Sequence, residues 1–151
     1  MAKISTKINL EIDRTTRDRE LEKKIPGFKP LIRIFSMVGF NELEFPENAI
    51  IDTGAHISVM PFDIWEKLNV QIMAEHKMQD LLPDKSTPVN VGYVKAKIID
   101  DTGNTTNQLR FLSYLAFTNK IPLILGMRDV LEKFNLHILF SRNQAYLEMI
   151  D

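Results

Sequence analysis

The chain has no cysteine among its 151 residues, so neither a disulfide framework nor a thiolate metal site can form. It has no apolar run approaching the roughly eighteen residues of a membrane-spanning helix, and its N-terminus lacks the apolar core of a signal peptide. These absences lead us to expect a cytoplasmic protein with no membrane partner. Neither sign of charge dominates: 19 Lys and Arg against 20 Asp and Glu leave a net charge of −1. A chain so balanced has no general attraction for nucleic acid or anionic lipid. The histidines at positions 56, 76 and 137 share no metal-ligand spacing, and no HExxH, CxxC or EF-hand pattern occurs, so no metal is expected. Glycine-rich phosphate loops are missing too, which removes motif support for a nucleotide cofactor. Ser58 lacks a nucleophile-elbow context and no histidine is placed to serve it.

What is present fits one folded domain. A content of 44% hydrophobic and 26% charged residues is ordinary for a soluble globular protein of this length. Residues 1–24 read as an N-terminal strand and a charged segment belonging to the same domain as residues 25–151. Ile4 to Ile12 alternates with the period of a strand, and Asp13 to Lys24, dense in charges of both signs, reads as a solvated loop or short helix. Strands are expected at Leu31–Val38, Ala49–Asp52, Val89–Ile99, Leu109–Phe117 and Leu123–Leu125. A terminal hairpin is expected from Leu136–Phe140 and Ala145–Ile150 about the turn Ser141-Arg-Asn-Gln144. Pro61 opens a short helix to Leu68 with Phe62, Trp65 and Leu68 on one face, and Val130–Phe134 reads as another. The sum is mainly β with two short helices.

One acid stands out from this pattern. Asp52 ends the hydrophobic run of Ile50-Ile51-Asp52-Thr53-Gly54-Ala55 and is held by a tight Thr-Gly turn. Burying a lone carboxylate is costly, so the setting makes sense if a second copy meets it. Two carboxylates at one site do not both ionise readily, so one keeps a proton while the other stays charged. A second Asp-Thr-Gly, Asp101-Thr102-Gly103, does not supply the other half. It follows Asp52 too closely for a lobe to close around each. The residues after it, Asn104-Thr-Thr-Asn-Gln108, are polar where Ala55, Ile57 and Val59 follow the first motif. Asp-Asp-Thr-Gly-Asn between two alternating strands is a hairpin turn. The second carboxylate is therefore expected from a partner chain.

The segment Ala49-Ile-Ile-Asp-Thr-Gly-Ala55, with Ser58 three residues on, resembles the active-site strand and turn of retropepsin-like aspartic proteases. Pro122-Leu-Ile-Leu-Gly-Met-Arg-Asp-Val-Leu131 resembles that family's second signature, an apolar strand ending in glycine before a short helix. The resemblance covers roughly residues 30–140 and is nearest to the small cellular, non-viral members. It implies a closed β-barrel of the kind that forms one lobe of an acid protease. It also implies an aspartic-type endopeptidase acting on peptides or proteins as a symmetric homodimer, without a cofactor.

Carried onto this sequence, the resemblance makes Asp52 the shared acid–base; the plainer reading is a turn-forming residue. Thr53 would hydrogen-bond across the two-fold axis, or serve only as a turn hydroxyl. Gly54 would let the backbone approach substrate, Ala55 would floor a subsite, and Gly126 would let its strand cross behind the active loop. Arg128 and Asp129 would brace Ser58, form an intersubunit ion pair, or pair on the surface.

Two features depart from the viral pattern. His56 stands where an acid usually binds the substrate backbone. The expected flap hairpin, Leu81 to Pro88 with Pro83, Asp84, Lys85 and Ser86 at its tip, contains no glycine and is stiffened by proline. They motivate an alternative, a non-proteolytic dimeric binding or scaffolding module on the same fold. The strands at the chain ends, Ile4–Ile12 and Ala145–Ile150, are the candidates for pairing between subunits.

Overall fold

The computed structural model describes residues 5–15, 18–28, 31–82 and 85–150. Alternation of apolar and polar residues sets most of its strands. In order they are β1 (Ser5–Asp13), β2 (Arg33–Gly39), β3 (Glu47–Ile51), β4 (Ser58–Met60), β5 (Gln71–Leu82), β6 (Lys85–Ile99), β7 (Leu109–Ala116), β8 (Ile124–Leu125), β9 (Asn135–Leu139) and β10 (Gln144–Ile150). The helices α1 (Arg19–Lys24) and α2 (Phe62–Trp65) are short. Strands β2, β3, β8, β4, β7 and β6 pair in turn, and β6 returns to β2 from Met37↔Ile99 to Gly39↔Lys97, closing a ring. In β2 and β7 every second side chain turns inward, and Val38, Ile98, Phe111, Leu115 and Leu125 are fully buried inside the ring. Each such side chain contributes roughly 1.5–3 kcal/mol by leaving water.

The helices follow from local chemistry. Asp18 caps α1, its carboxylate accepting from Glu20 N at 3.0 Å and Leu21 N at 3.1 Å, and acids lead while lysines close the turn. That arrangement complements the helix dipole, and the helix buries nothing. Helix α2 instead anchors the ring. Trp65 packs edge-on against Phe62 and Phe117, each at 5.5 Å, and donates its indole N–H to Ala116 O at 2.6 Å.

A three-stranded sheet, β1-β10-β9, joins the ring where the end of β1 pairs with β2. Its inner face buries Ile8, Leu10, Ala145 and Leu147. On the other face His137 stacks on Tyr146 at 4.5 Å and meets Glu148 at 2.7 Å, with Lys7 Nζ 4.4 Å from the Tyr146 ring centre. Of the terminal strands expected as candidates for intersubunit pairing, β10 is the middle strand of this sheet. Both its edges are paired within the chain, by β1 and β9.

The turn after β6 is organised by Asp100 rather than by the Asp101-Thr102-Gly103 segment alone. The carboxylate of Asp100 accepts from Thr102 N at 3.0 Å, Thr102 Oγ1 at 2.9 Å, Asn104 N at 2.9 Å and Asn104 Nδ2 at 3.0 Å. It also accepts from Asn9 N at 3.1 Å and so ties β1 to the ring. Burial works against the charge, but the hydrogen bonds from Asn104, Asn9 and Thr102 outweigh it and lower the pKa from 3.8 to about 2. Because the folded value lies below the unfolded one, the stabilisation is complete above pH 4–5 and is lost as pH falls toward 2. Asp100→Asn should remove about 1–2 kcal/mol at neutral pH, and the gap to wild type should narrow below about pH 4 and close as pH falls through about 2. Urea unfolding at several pH values checks this; a pH-independent gap would show that ionisation of Asp100 contributes nothing.

Candidate active site

The site is built where the chain passes close to itself three times. Strand β3 runs parallel to β8, with Ile50↔Ile124 and Ile51↔Leu125, while β4 meets β8 antiparallel at Val59↔Ile124. Strand β8 thus lies between the two arms of the loop 52–57. The hydrogen bonds Ile50 N to Leu123 O at 2.9 Å and Asp52 N to Leu125 O at 3.0 Å fix the first arm. Met127 N to Ala55 O at 2.8 Å and Arg128 N to His56 O at 3.0 Å fix the second. Gly126 sits at the crossing. An added Cβ there would lie 2.7 Å from Ala55 O, 2.8 Å from Ile57 C and 2.9 Å from Ile57 O, so only hydrogen fits. Ser58, wholly buried, accepts from Gly126 N at 3.0 Å and closes the clamp.

Within this clamp the loop is tight. Ala55 N donates to Asp52 O at 3.2 Å, and Gly54 N donates to Asp52 Oδ1 at 2.9 Å. The side chain of Asp52 is thereby oriented by its own turn, and its Oδ2 accepts no hydrogen bond from the described residues. Asp52 and Ala55 are half-buried, whereas Thr53, Gly54 and His56 are exposed. Beside Asp52 and Thr53 opens a shallow groove of about 270 Å³ walled by Ile34, Ile51, Leu136 and Ile138. Ile32 and Phe140, 45% and 52% exposed, complete its walls. These groove residues did not stand out in the sequence. Leu136 and Ile138 read there only as part of one arm of a terminal hairpin, and nothing local says that this arm meets Asp52.

The remaining candidates are placed as follows. Asp129 adopts a positive φ of 64° and accepts from Leu112 N at 3.1 Å, while its own N–H donates to Glu132 Oε1 at 2.7 Å. It therefore ties the turn after β8 to β7. Arg128 Nε lies 3.9 Å from Asp129 Oδ2 with its side chain half exposed, a loose surface pair. The partner of Ser58 is Gly126 N, not either of these side chains. Pro83 and Asp84 lie outside the described residues. Lys85 pairs with Leu82 at the near end of β6, and Ser86 is exposed. The hairpin expected at Leu81–Pro88 is the far end of a longer one, since β5 and β6 pair from Gln71↔Tyr93 onward. Among the described residues, no three His, Asp or Glu side chains are grouped to hold a metal, and no helix is long and apolar enough to cross a membrane.

No protein-family model matches the chain, and no curated protein matches it. Among solved structures it is similar to a retropepsin-like aspartic protease from Rickettsia conorii. The TM-score is 0.52 over 99% of this chain and 95% of that one, at 11% sequence identity. The fold is retropepsin-like. In a retropepsin-like fold the loop carrying Asp52 and the strand ending in Gly126 lie together for a topological reason, because β8 has to thread between β3 and β4.

Proposed function

We propose that the chain is an aspartic endopeptidase acting as a symmetric homodimer, each subunit giving Asp52 to a shared pair. The observation that carries this reading is the clamp itself. A carboxylate is presented by a loop fixed on both arms by β8, with one oxygen bound to Gly54 N and the other open. That much rigidity around one exposed-edge acid is expected of a group whose position matters. In the paired state, one carboxylate takes a proton from a water held between them as that water attacks the scissile carbonyl. The other, protonated, donates a hydrogen bond to the carbonyl oxygen, and the leaving nitrogen receives a proton as the C–N bond breaks. Gly54 and Ala55 are proposed to line the substrate channel, Thr53 to bond across the axis, and Ser58, Gly126, Arg128 and Asp129 to hold the loop. His56 and the hairpin tip at 83–86 are proposed to contact substrate.

The test is cleavage of a diverse peptide library from about pH 4 to about pH 7.5, with and without a pepstatin-type inhibitor. Cleavage that the inhibitor blocks is the expected result. A second reading, a binding or scaffolding module, is favoured by the hairpin tip from Leu81 to Pro88, which has two prolines and no glycine. A folded dimer that cleaves nothing across the range would decide for it.

A further inference from the structure

Strands β6 and β7 turn alternate side chains away from the ring, and on that outer face their register sets two cations against each other. Tyr93 and Lys95 of β6 and Arg110 of β7 lie on the outside, while Val94, Ala96, Leu109 and Phe111 between them are buried. Lys95 and Arg110 are direct cross-strand partners. Like charges directly opposite on one face of a sheet cost stability. Among the described residues neither is in an ion pair. Lys97, also exposed, stands two residues further along the same face, so positive charge collects here in a chain whose net charge is −1.

The guanidinium of Arg110 is nonetheless held in place. Its Cζ lies 3.7 Å from the centre of the Tyr93 ring, and its Nη2 donates to Gln71 Oε1 at 2.9 Å. Gln71 is brought there by the start of β5, which passes so close to Gly92 that a Cβ on Gly92 would lie 2.6 Å from Gln71 O. Beside the guanidinium is a shallow pocket of about 270 Å³ whose polar lining is Asn69, Gln71, Tyr93, Lys95 and Arg110. No carboxylate lines it, and Glu42, the acid that meets Asn69, is engaged by the Asn69 backbone N–H at 2.7 Å. A stacked guanidinium with one amino group already bound still presents donors in a fixed plane, suited to two oxygens of one anion. Two cations with no acid between them match a group of about two negative charges, which is a phosphate monoester rather than a single carboxylate. We infer that this pocket binds a phosphate monoester, with Arg110 and Lys95 on its oxygens and the Asn69 amide at its rim. The bound group also relieves the repulsion between the two cations. A small phosphate compound and a phosphorylated side chain of a protein present this same group. None of these residues belongs to the site at Asp52, and the pocket is independent of its chemistry.

Calorimetric titration of the full chain with inorganic phosphate, at about pH 7.5 and against chloride at matched ionic strength, is the direct test. Saturable binding with a Kd of about 1 mM or tighter is expected. Arg110→Gln and Lys95→Gln should each weaken it about 10-fold, and Arg110→Lys, which keeps the charge but loses the fork, about 5-fold. Lys120→Gln makes the same change in net charge at an exposed lysine elsewhere and should bind like wild type. Thermal melting adds a readout of opposite sign. Without phosphate, Lys95→Gln should melt no lower than wild type, because the opposed charge is gone; with phosphate, wild type should gain and the variant gain little. A phosphoserine peptide, beside its serine and glutamate counterparts, separates the sources. Binding tighter than that of inorganic phosphate assigns the pocket to a phosphorylated protein, and equal binding assigns it to a small phosphate compound. No saturable binding by wild type overturns the proposal, and so does binding that both Arg110→Gln and Lys95→Gln leave intact. A glutamate peptide that binds as well as the phosphoserine one overturns the choice of phosphate. Lys95→Gln melting well below wild type without phosphate overturns it too, by giving the lysine a structural role.

Discussion

Gly126→Ala should destabilise the protein by about 3 kcal/mol or more and lower its melting temperature by roughly 10 °C. The new methyl carbon would meet three backbone atoms, Ala55 O, Ile57 C and Ile57 O, all closer than 3.0 Å. A long side chain can swing away from such a contact, but backbone in a paired strand has nowhere to go. Relief requires β8 to draw back from the loop. That strains Met127 N to Ala55 O, Arg128 N to His56 O and Gly126 N to Ser58 Oγ together. Each such bond contributes on the order of 1 kcal/mol, so the steric and hydrogen-bonding losses are of similar size and fall on the same few residues. Gly39→Ala is the matched control, because its Cβ would find Ile99 Cδ1 at 3.9 Å, an ordinary contact. Circular dichroism melts of the two variants beside wild type check the pair. Equal, small shifts in both would mean that β8 does not lie as close to the loop as the clamp requires.

That clamp shows what a sequence displays and what it hides. Asp52 and Gly126 were legible because each breaks a local pattern, an acid ending an apolar run and a glycine ending another. Strands β6 and β7 were legible because one face of each is buried, which writes a period of two into the residues. Strand β5 was not, and for the opposite reason. From Gln71 to Lys77 every side chain is exposed, so no face selects apolar residues and no alternation marks the strand. Strand β4 failed through the other extreme: Ser58, Val59 and Met60 are all buried, and a three-residue run with both faces covered carries no period either. The turn at Asp101-Thr102-Gly103 was read from its turn residues. Its organiser, Asp100, has a signal of its own in the polar residues two and four positions later, Thr102 and Asn104, which its carboxylate binds. The groove beside Asp52 is a different kind of omission. It joins Ile32 and Phe140 from distant parts of the chain, and only the placement of β9 makes them neighbours of the acid.

Asp52→Asn should lower cleavage at least ~10³-fold while leaving the fold in place, because the amide keeps the size and one acceptor oxygen but neither gives nor takes the proton. The hydrogen bond from Gly54 N needs only that oxygen, so melting should shift by little. Asp101→Asn, on the exposed turn, should cleave like wild type. The stronger form of the test comes from mixing. If each active centre takes one Asp52 from each of two chains, an equal mixture of wild type and Asp52→Asn, allowed to exchange subunits, leaves only about one quarter of the dimers with both acids. Activity per total protein should then fall to about a quarter of that of wild type alone, and along the square of the wild-type fraction as the ratio is varied. A chain that acted by itself would retain about one half and follow a straight line. The shape of that curve separates a shared pair from a single-chain centre without any knowledge of the natural substrate, since any peptide that is cut at all will serve. A straight line with full loss in the pure variant would keep Asp52 as the acid and remove the partner from the chemistry.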